Sequence, residues 1–347
     1  MRLGPKPEHP AEWLALKAGQ VPTVLIDGYL GFMAARCVMA GVSLGVFEAL
    51  ERQPDDAAGL ARRLELAPPG VDVLLTALHA CGYVKRDGGR FAITPAVRRF
   101  ALEGAAQSLT DWAGVFAYDM WEHFGHLEET VRSGRPIGLH EREPDDPYWE
   151  RYMRGLFDLS KLSADIVARL IPTAGTPKRM LDLAGGHGGY AMAMCRRHPE
   201  LRATIVELEG SARIGRKIVA EEGMDDRVSF QVGDLFETDL GAGHDLATTF
   251  QIVHHFTPEQ NVELLRRARE SLRSGGTVAI LELERPAGRR AADQVGALTG
   301  VLFYVTSLAR TFTAREMADF LGEAGFRRIR ARRHAQLPGV VVMVATS

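Results

Sequence analysis

The chain has 347 residues, 46% of them hydrophobic and 25% charged, with a formal net charge of −2. That apolar share supports a sizeable core and excludes a mainly disordered chain, and the near-neutral balance gives no electrostatic reason to expect a nucleic-acid partner. Cys37, Cys81 and Cys195 are too far apart for a metal-ligand or disulfide pattern, and the first residues lack the apolar stretch of a signal peptide, so a reducing cytoplasm is the expected setting.

The length suggests two domains, and the texture divides the chain into residues 1–105, 106–170 and 171–347. In the first region the apolar run Val21 to Leu50 is interrupted by Asp27, Arg36 and several glycines. It reads as buried helices, packed inside one subunit or against a second, and not as a membrane span. A short helix is expected over Asp56 to Leu64 and another from Val71 to Ala80, stopped at Gly82. Tyr83 to Ile93, around Asp87-Gly88-Gly89, reads as a hairpin. Helix, turn, helix, hairpin is a winged-helix arrangement. DNA binding is disfavoured, because Val71 to Ala80 contains no Lys or Arg and residues 1–110 carry twelve Lys and Arg against eleven Asp and Glu. A structural or dimerising role fits better.

Residues 106–170 read as linking helices broken by Pro136 and Pro147, rich in aromatics such as Trp112, Tyr118, Tyr148, Trp149 and Tyr152. Most are expected in the core and a few around a pocket for a flat apolar substrate. From about residue 178, strands alternate with helices: strands at Arg179–Leu183, Ala203–Glu207, Val228–Val232, Leu246–Ile252, Thr277–Glu282 and Val340–Val344. This spacing predicts an α/β, Rossmann-like parallel sheet covered on both faces, with ligands at the carboxyl ends of its strands. The arginine-rich run from Arg327 to Arg333 reads as a solvated edge strand.

The turn Asp182-Leu183-Ala184-Gly185-Gly186-His187-Gly188-Gly189 lies between the first of these strands and a helix. Glycines there let the backbone approach a ligand, and the helix N-terminus favours an anionic group. Gly186-x-Gly188-x-x-Ala191 also fits a loose dinucleotide fingerprint. Three features tip the reading elsewhere. Asp182 suits a cationic amino group and would repel a pyrophosphate. Glu207, at the end of the second strand, can accept from both hydroxyls of a ribose. In Gly233-Asp234-Leu235-Phe236, Asp234 can accept from an adenine amino group with Phe236 near the ring.

With Ile252-Val253-His254-His255-Phe256, these segments appear in the order found in one family. The stretch from about 179 to 286 resembles the cofactor domain of class I S-adenosylmethionine-dependent methyltransferases. More narrowly it resembles the small-molecule O-methyltransferases related to plant caffeate and flavonoid enzymes and bacterial polyketide enzymes, whose winged-helix region dimerises. The resemblance implies a homodimer that binds S-adenosylmethionine and a small aromatic or polyketide-like substrate. It places cofactor contacts at Asp182, Gly185, Gly186, Gly188, Glu207, Leu208, Gly233, Asp234, Leu235, Phe236 and Gln251.

A sulfonium donor carries its own activation, so no metal is expected, and the protein's task is to align the acceptor and remove its proton. A phenol is only about one part in a thousand ionised at neutral pH, so a base contributes about 10² to 10⁴ in rate. His254, just past the fourth strand, is the candidate base. His255 reads as a secondary, solvent-facing neighbour. The resemblance makes Glu282 the acid that orients His254. Two departures stand out: Leu308-Ala309-Arg310-Thr311 lacks the family's second acid, and Phe250 replaces a lysine often found four residues before the histidine. Carbon or nitrogen methylation is the alternative within this chemistry. Outside it stand a nicotinamide oxidoreductase, which Asp182 disfavours, and a non-catalytic binding protein, which His254 disfavours.

Overall fold

The computed structural model describes residues 4–173, 175–285 and 294–347. Residue 286, where the resembling stretch ends, and residues 1–3 of the first region lie outside that set. The chain divides into two compact units, one running to Tyr118 and the other from Asp119.

The first unit has the expected winged-helix order. Asp56 caps helix Ala57–Leu64, its side chain accepting from the Gly59 N–H at 2.7 Å. Helix Pro68–Ala80 begins on two prolines and ends at Gly82 with φ +78, where Gly82 N–H bonds His79 and Tyr83 N–H bonds Leu78. That paired closure is what a glycine after a helix allows. Strands β1 (Val84–Asp87) and β2 (Arg90–Ile93) meet through Gly88 and Gly89, both at positive φ, the two-residue turn that matches strand twist. Val46, Phe47, Leu60, Leu75, Leu78 and Phe91 form this unit's core.

Of the two arrangements expected for the apolar run before that core, packing inside its own subunit is not what is found. Thr23–Ser43 is one continuous helix with a π-helical segment at Ile26–Leu30, and Met39 and Gly41 are its buried residues. Val24, Leu25, Tyr29 and Phe32 are exposed, so this helix is not interior to the single chain.

The second unit holds a seven-stranded sheet built from β3 (Arg179–Leu183), β4 (Arg202–Glu207), β5 (Val228–Val232), β6 (His244–Phe250), β7 (Leu272–Leu283), β8 (Arg327–Arg332) and β9 (Val340–Thr346). The spatial order is β5-β4-β3-β6-β7-β9-β8. The first five strands are parallel, as expected, but β9 runs antiparallel to both β7 and β8. A parallel return needs a crossover of a dozen or more residues, and the link from Arg332 to Val340 has no helix to make one. The arginine-rich β8 is an edge strand, as its composition suggested. Apolar cores cover both faces: Met180, Ile205 and Leu246 belong to one, Leu181, Leu183 and Ala247 to the other.

Of the aromatics in residues 106–170, Tyr148 and Trp149 are buried, whereas Tyr118 and Phe124 are exposed. Helix Tyr148–Lys161 presents Trp149 and Met153 inward, and its Arg154 bonds Glu221 at 2.8 Å on helix Glu209–Glu221. Trp149 packs at Gly210, just past the end of β4, and Met153 at Gly186 in the turn after β3, which sets this helix beside the carboxyl ends of those strands.

Candidate active site

Strands β4, β3, β6 and β7 are neighbours, and each ends in a segment singled out by the sequence. The turn after β3 is held in an unusual backbone shape: Ala184, Gly186 and Gly188 have φ of +58, +51 and +75. Positive φ is accessible to glycine and strained for alanine, and such strain is characteristic of ligand-clamping turns. Gly188 also lies so close to Val219 that a Cβ would stand 2.8 Å from its methyl. A Cβ at Gly185 would collide with the Asp182 carboxylate.

Asp182 is fully buried under this turn. Its Oδ1 accepts from Thr248 Oγ1 at 2.6 Å, while Oδ2 has no hydrogen-bond partner in the protein. Burial, with the nearby Glu207 carboxyl, pushes Asp182 up to about 7 against the opposing Thr248 bond. Glu207, at the end of β4, is also nearly closed off. Gly186 N–H donates to its Oε2 at 2.9 Å and Leu208 N–H to its Oε1 at 2.8 Å. Burial raises it to about 7 despite those two bonds. Each oxygen keeps acceptor capacity beyond its single backbone donor.

After β5, Asp234 is exposed and its Oδ1 accepts from Phe236 N–H at 2.7 Å, which shapes the turn. Gly233 leaves room for the Thr238 side chain. Phe236 is half-buried, edge-on to Phe256 at 5.1 Å. Leu235 packs into the core, and its carbonyl accepts from Arg267, so its side chain serves the fold. Leu208 is exposed at the end of β4. Gln251 follows β6 at φ +55, its N–H bonded to the Leu281 carbonyl of β7 at 2.8 Å.

This geometry fits the expected cofactor. A turn without Cβ atoms, two carboxyls with spare acceptor capacity and one orphaned carboxylate oxygen favour a ligand with hydroxyl donors and positive charge. A pyrophosphate would be repelled. Among the described residues no group of three or more His, Cys, Asp or Glu is placed to hold a metal ion.

The strand β6 ends at Phe250, two residues earlier than expected, and a 3-10 turn, Val253–His255, carries the histidines. Buried Asn261 clamps this turn by donating to the carbonyls of Val253 at 2.9 Å and Phe256 at 3.2 Å. His254 is 3% exposed, and its Nδ1 lies 3.0 Å from both oxygens of Glu282, itself 1% exposed near the end of β7. With Nδ1–H donated to the carboxylate, Nε2 is the nitrogen that carries the lone pair. The imidazole is stacked on Phe303, centroids 3.9 Å apart and planes 6° from parallel.

His255 is not solvent-facing. It is half-buried, shares a 2.9 Å hydrogen bond with Ser307, and stands edge-on to His140 at 4.7 Å. Burial and the two neighbouring histidines depress it to about 2. His140, in the turn Leu139–Glu141, is depressed to about 4, chiefly by burial, and its Nε2 is buried without a partner. Tyr152 and Trp149 stand beside His140, and burial with the Glu207 carboxyl raises Tyr152 to about 12. His140 and Asn261 were not read from the sequence, nor was the contact of Phe303 with His254, although Val295 to Thr311, where Phe303 and Tyr304 sit, is a segment expected from the sequence to set substrate specificity. A lone histidine in a polar loop and an asparagine inside a helix carry no local signal. At the position of the lysine of the resembling family, Phe250 is buried edge-on to Tyr190 at 5.3 Å.

Residues 124–327 match the O-methyltransferase domain family and residues 26–103 the O-methyltransferase dimerisation domain. The 3-hydroxy-5-methyl-1-naphthoate 3-O-methyltransferase of Streptomyces sahachiroi is 29% identical over 93% of this chain and 94% of its own length. The acetylserotonin O-methyltransferase of Mus musculus is 30% identical over 89% and 84%. The crystal structure of human N-acetylserotonin methyltransferase in complex with SAM superposes with a TM-score of 0.82 over 99% of both chains at 20% identity, a likeness of fold. The first domain family alone spans more than half of the sequence, and the chain belongs to the S-adenosylmethionine-dependent O-methyltransferases.

Proposed function

We propose that this enzyme methylates a hydroxyl of a small, flat aromatic or polyketide-like metabolite, with His254 as the general base. The observation that carries the reading is the buried His254–Glu282 pair at the carboxyl edge of the sheet, one strand from the glycine turn.

When bound, S-adenosylmethionine supplies a methyl group already activated on a sulfonium. Glu207 is the residue that would take the ribose hydroxyls, and Asp234 with Phe236 and Leu208 would border the adenine. Asp182 acts from beneath the turn, its buried charge favouring a cationic group above it. Gly185, Gly186 and Gly188 keep the cradle open, and Gly233, Leu235 and Gln251 hold the surrounding turns in shape. Glu282 fixes the tautomer of His254, so that Nε2 accepts the proton of the acceptor hydroxyl and the carboxylate stabilises the resulting imidazolium. Trp149, Tyr152, Phe303 and the neutral His140 and His255 give this part of the unit a largely apolar, uncharged lining that suits an aromatic ring.

The test is calorimetric titration with S-adenosylhomocysteine, with NAD as the control, followed by a methyl-transfer assay on a hydroxynaphthoate and on N-acetylserotonin. Binding of S-adenosylhomocysteine lost in Glu207→Ala, together with an O-methylated product, is the expected result. Binding of NAD alone, or methyl found on carbon or nitrogen of every accepted substrate, would overturn it.

A further inference from the structure

We propose that Phe303 is a positioning residue for methyl transfer, its ring face stabilising the imidazolium that forms on His254; this rests on the reading of His254 as the base. The two rings are almost parallel at a centroid distance of 3.9 Å. Parallel aromatic rings this close are attracted to each other even when both are neutral. The attraction grows when one ring becomes a cation lying over the negative face of the other, and this stack holds the imidazole of His254 in that position. His254 becomes that cation when Nε2 takes the acceptor's proton.

The other groups around His254 leave this role open. Glu282, from β7, binds the ring at Nδ1, in the plane of the imidazole. His255, with centroids 4.3 Å away, and His140 beyond it are imidazoles held neutral by burial, and neither offers negative charge. In the segment where the resemblance places a second acid, Arg310 contributes only its backbone N–H, donated to the His254 carbonyl at 3.1 Å. Phe303 is thus the second electron-rich surface against the base, and it approaches from the face while Glu282 approaches from the edge.

Its placement is built in. Phe303 lies near the end of helix Gln294–Ser307, and its carbonyl accepts from Ser307 Oγ and the Ala309 N–H, each at 3.2 Å, while Thr306 Oγ1 donates to the preceding Leu302 carbonyl at 3.0 Å. Leu308 then turns the chain at φ +53. The helix end is wound tightly around the residue that meets the base.

The experiment replaces Phe303 with mono-, di- and trifluorophenylalanine in the full-length enzyme and measures single-turnover methyl transfer. Fluorine drains the ring face of negative charge while nearly preserving its shape. The expected result is a stepwise fall in rate at saturating acceptor, about three- to thirty-fold across the series, with S-adenosylhomocysteine affinity unchanged. Phe303→Tyr should retain the rate, and Phe303→Leu should lose it to a similar extent. A flat fluorination series overturns the proposal, whatever Phe303→Leu does. His254→Ala, assayed alongside, separates the two claims. If it is inactive while the series is flat, the role of Phe303 fails and the base stands. If it turns over normally, the base reading fails first.

Discussion

Two carboxyls shut away from water meet at the glycine turn, and their protonation sets a pH dependence. Asp182 and Glu207 are both raised to about 7, mainly by burial, and Glu207 contributes to the rise at Asp182. They therefore titrate as a pair. A folded pKa above the unfolded value of about 4 means that the stability gained from the protonated forms is fully present below about 4. It is lost as pH rises through about 7. Ligand hydroxyls and positive charge favour the ionised forms, so binding must draw protons off. Affinity for S-adenosylhomocysteine should fall by up to about tenfold per pH unit below 7 for each proton released. Proton release should be visible by calorimetry in buffers of different ionisation enthalpy, and an affinity unchanged from pH 6 to 8 would contradict it. Past the neighbouring strand end, His254→Ala removes the proposed base but none of the residues proposed to hold the cofactor. It should lower turnover by about 10² or more while leaving S-adenosylhomocysteine affinity intact, as rapid-quench and titration measurements together would show.

The glycine turn is shaped by the elements that press on it as much as by its own residues. Helix Glu209–Glu221 reaches it through Gly215, where a Cβ would collide with the Gly186 carbonyl and stand 2.6 Å from the Phe230 ring. Gly215→Ala should lower stability by about 1–3 kcal/mol and also weaken S-adenosylhomocysteine binding, because the displaced group belongs to the cradle. Thermal unfolding with and without ligand measures both effects; a variant with unchanged ligand-induced stabilisation would separate this helix from the site. Gly215 also marks how far the sequence could be read. Gly185, Gly186 and Gly188 stand out because strand, turn and helix are adjacent in the chain. The need for Gly215 arises from a turn nearly thirty residues away, and nothing near it shows that contact. The strands that carry Asp182, Glu207 and Glu282 at or next to their ends, and the one that His254 follows, were legible for the same local reason, as apolar runs of strand length, whereas the role expected of Glu282 came only from the resemblance. The direction of β9 was not legible, because it depends on the missing helix before it. His140 and Phe303 come to the base from segments more than a hundred and about fifty residues from it, a matter of packing that has no period in the sequence.

At the scale of the molecule, the exposed apolar helix needs a cover. Thr23–Ser43 is the one helix among the described residues long and apolar enough to cross a membrane, with mean hydropathy 1.4. It carries Asp27 and Arg36 within its length, and a charge at mid-bilayer is unfavourable by several kcal/mol. Residues 26–103 match a dimerisation domain, and so large an exposed apolar surface is characteristic of an interface with another chain. A second copy of this chain is therefore the expected cover. Leu25→Glu and Leu30→Glu together place two charges at exposed positions of this helix, where neither side chain belongs to the core of its own unit. The double variant should sediment as a monomer at concentrations where the unaltered enzyme is a dimer, with its winged-helix unit still folded by circular dichroism. The same samples mixed with lipid vesicles distinguish the other cover. An unaltered enzyme that is monomeric alone and pellets with vesicles would assign the helix to a membrane surface, and the charged variant would then stay in the supernatant.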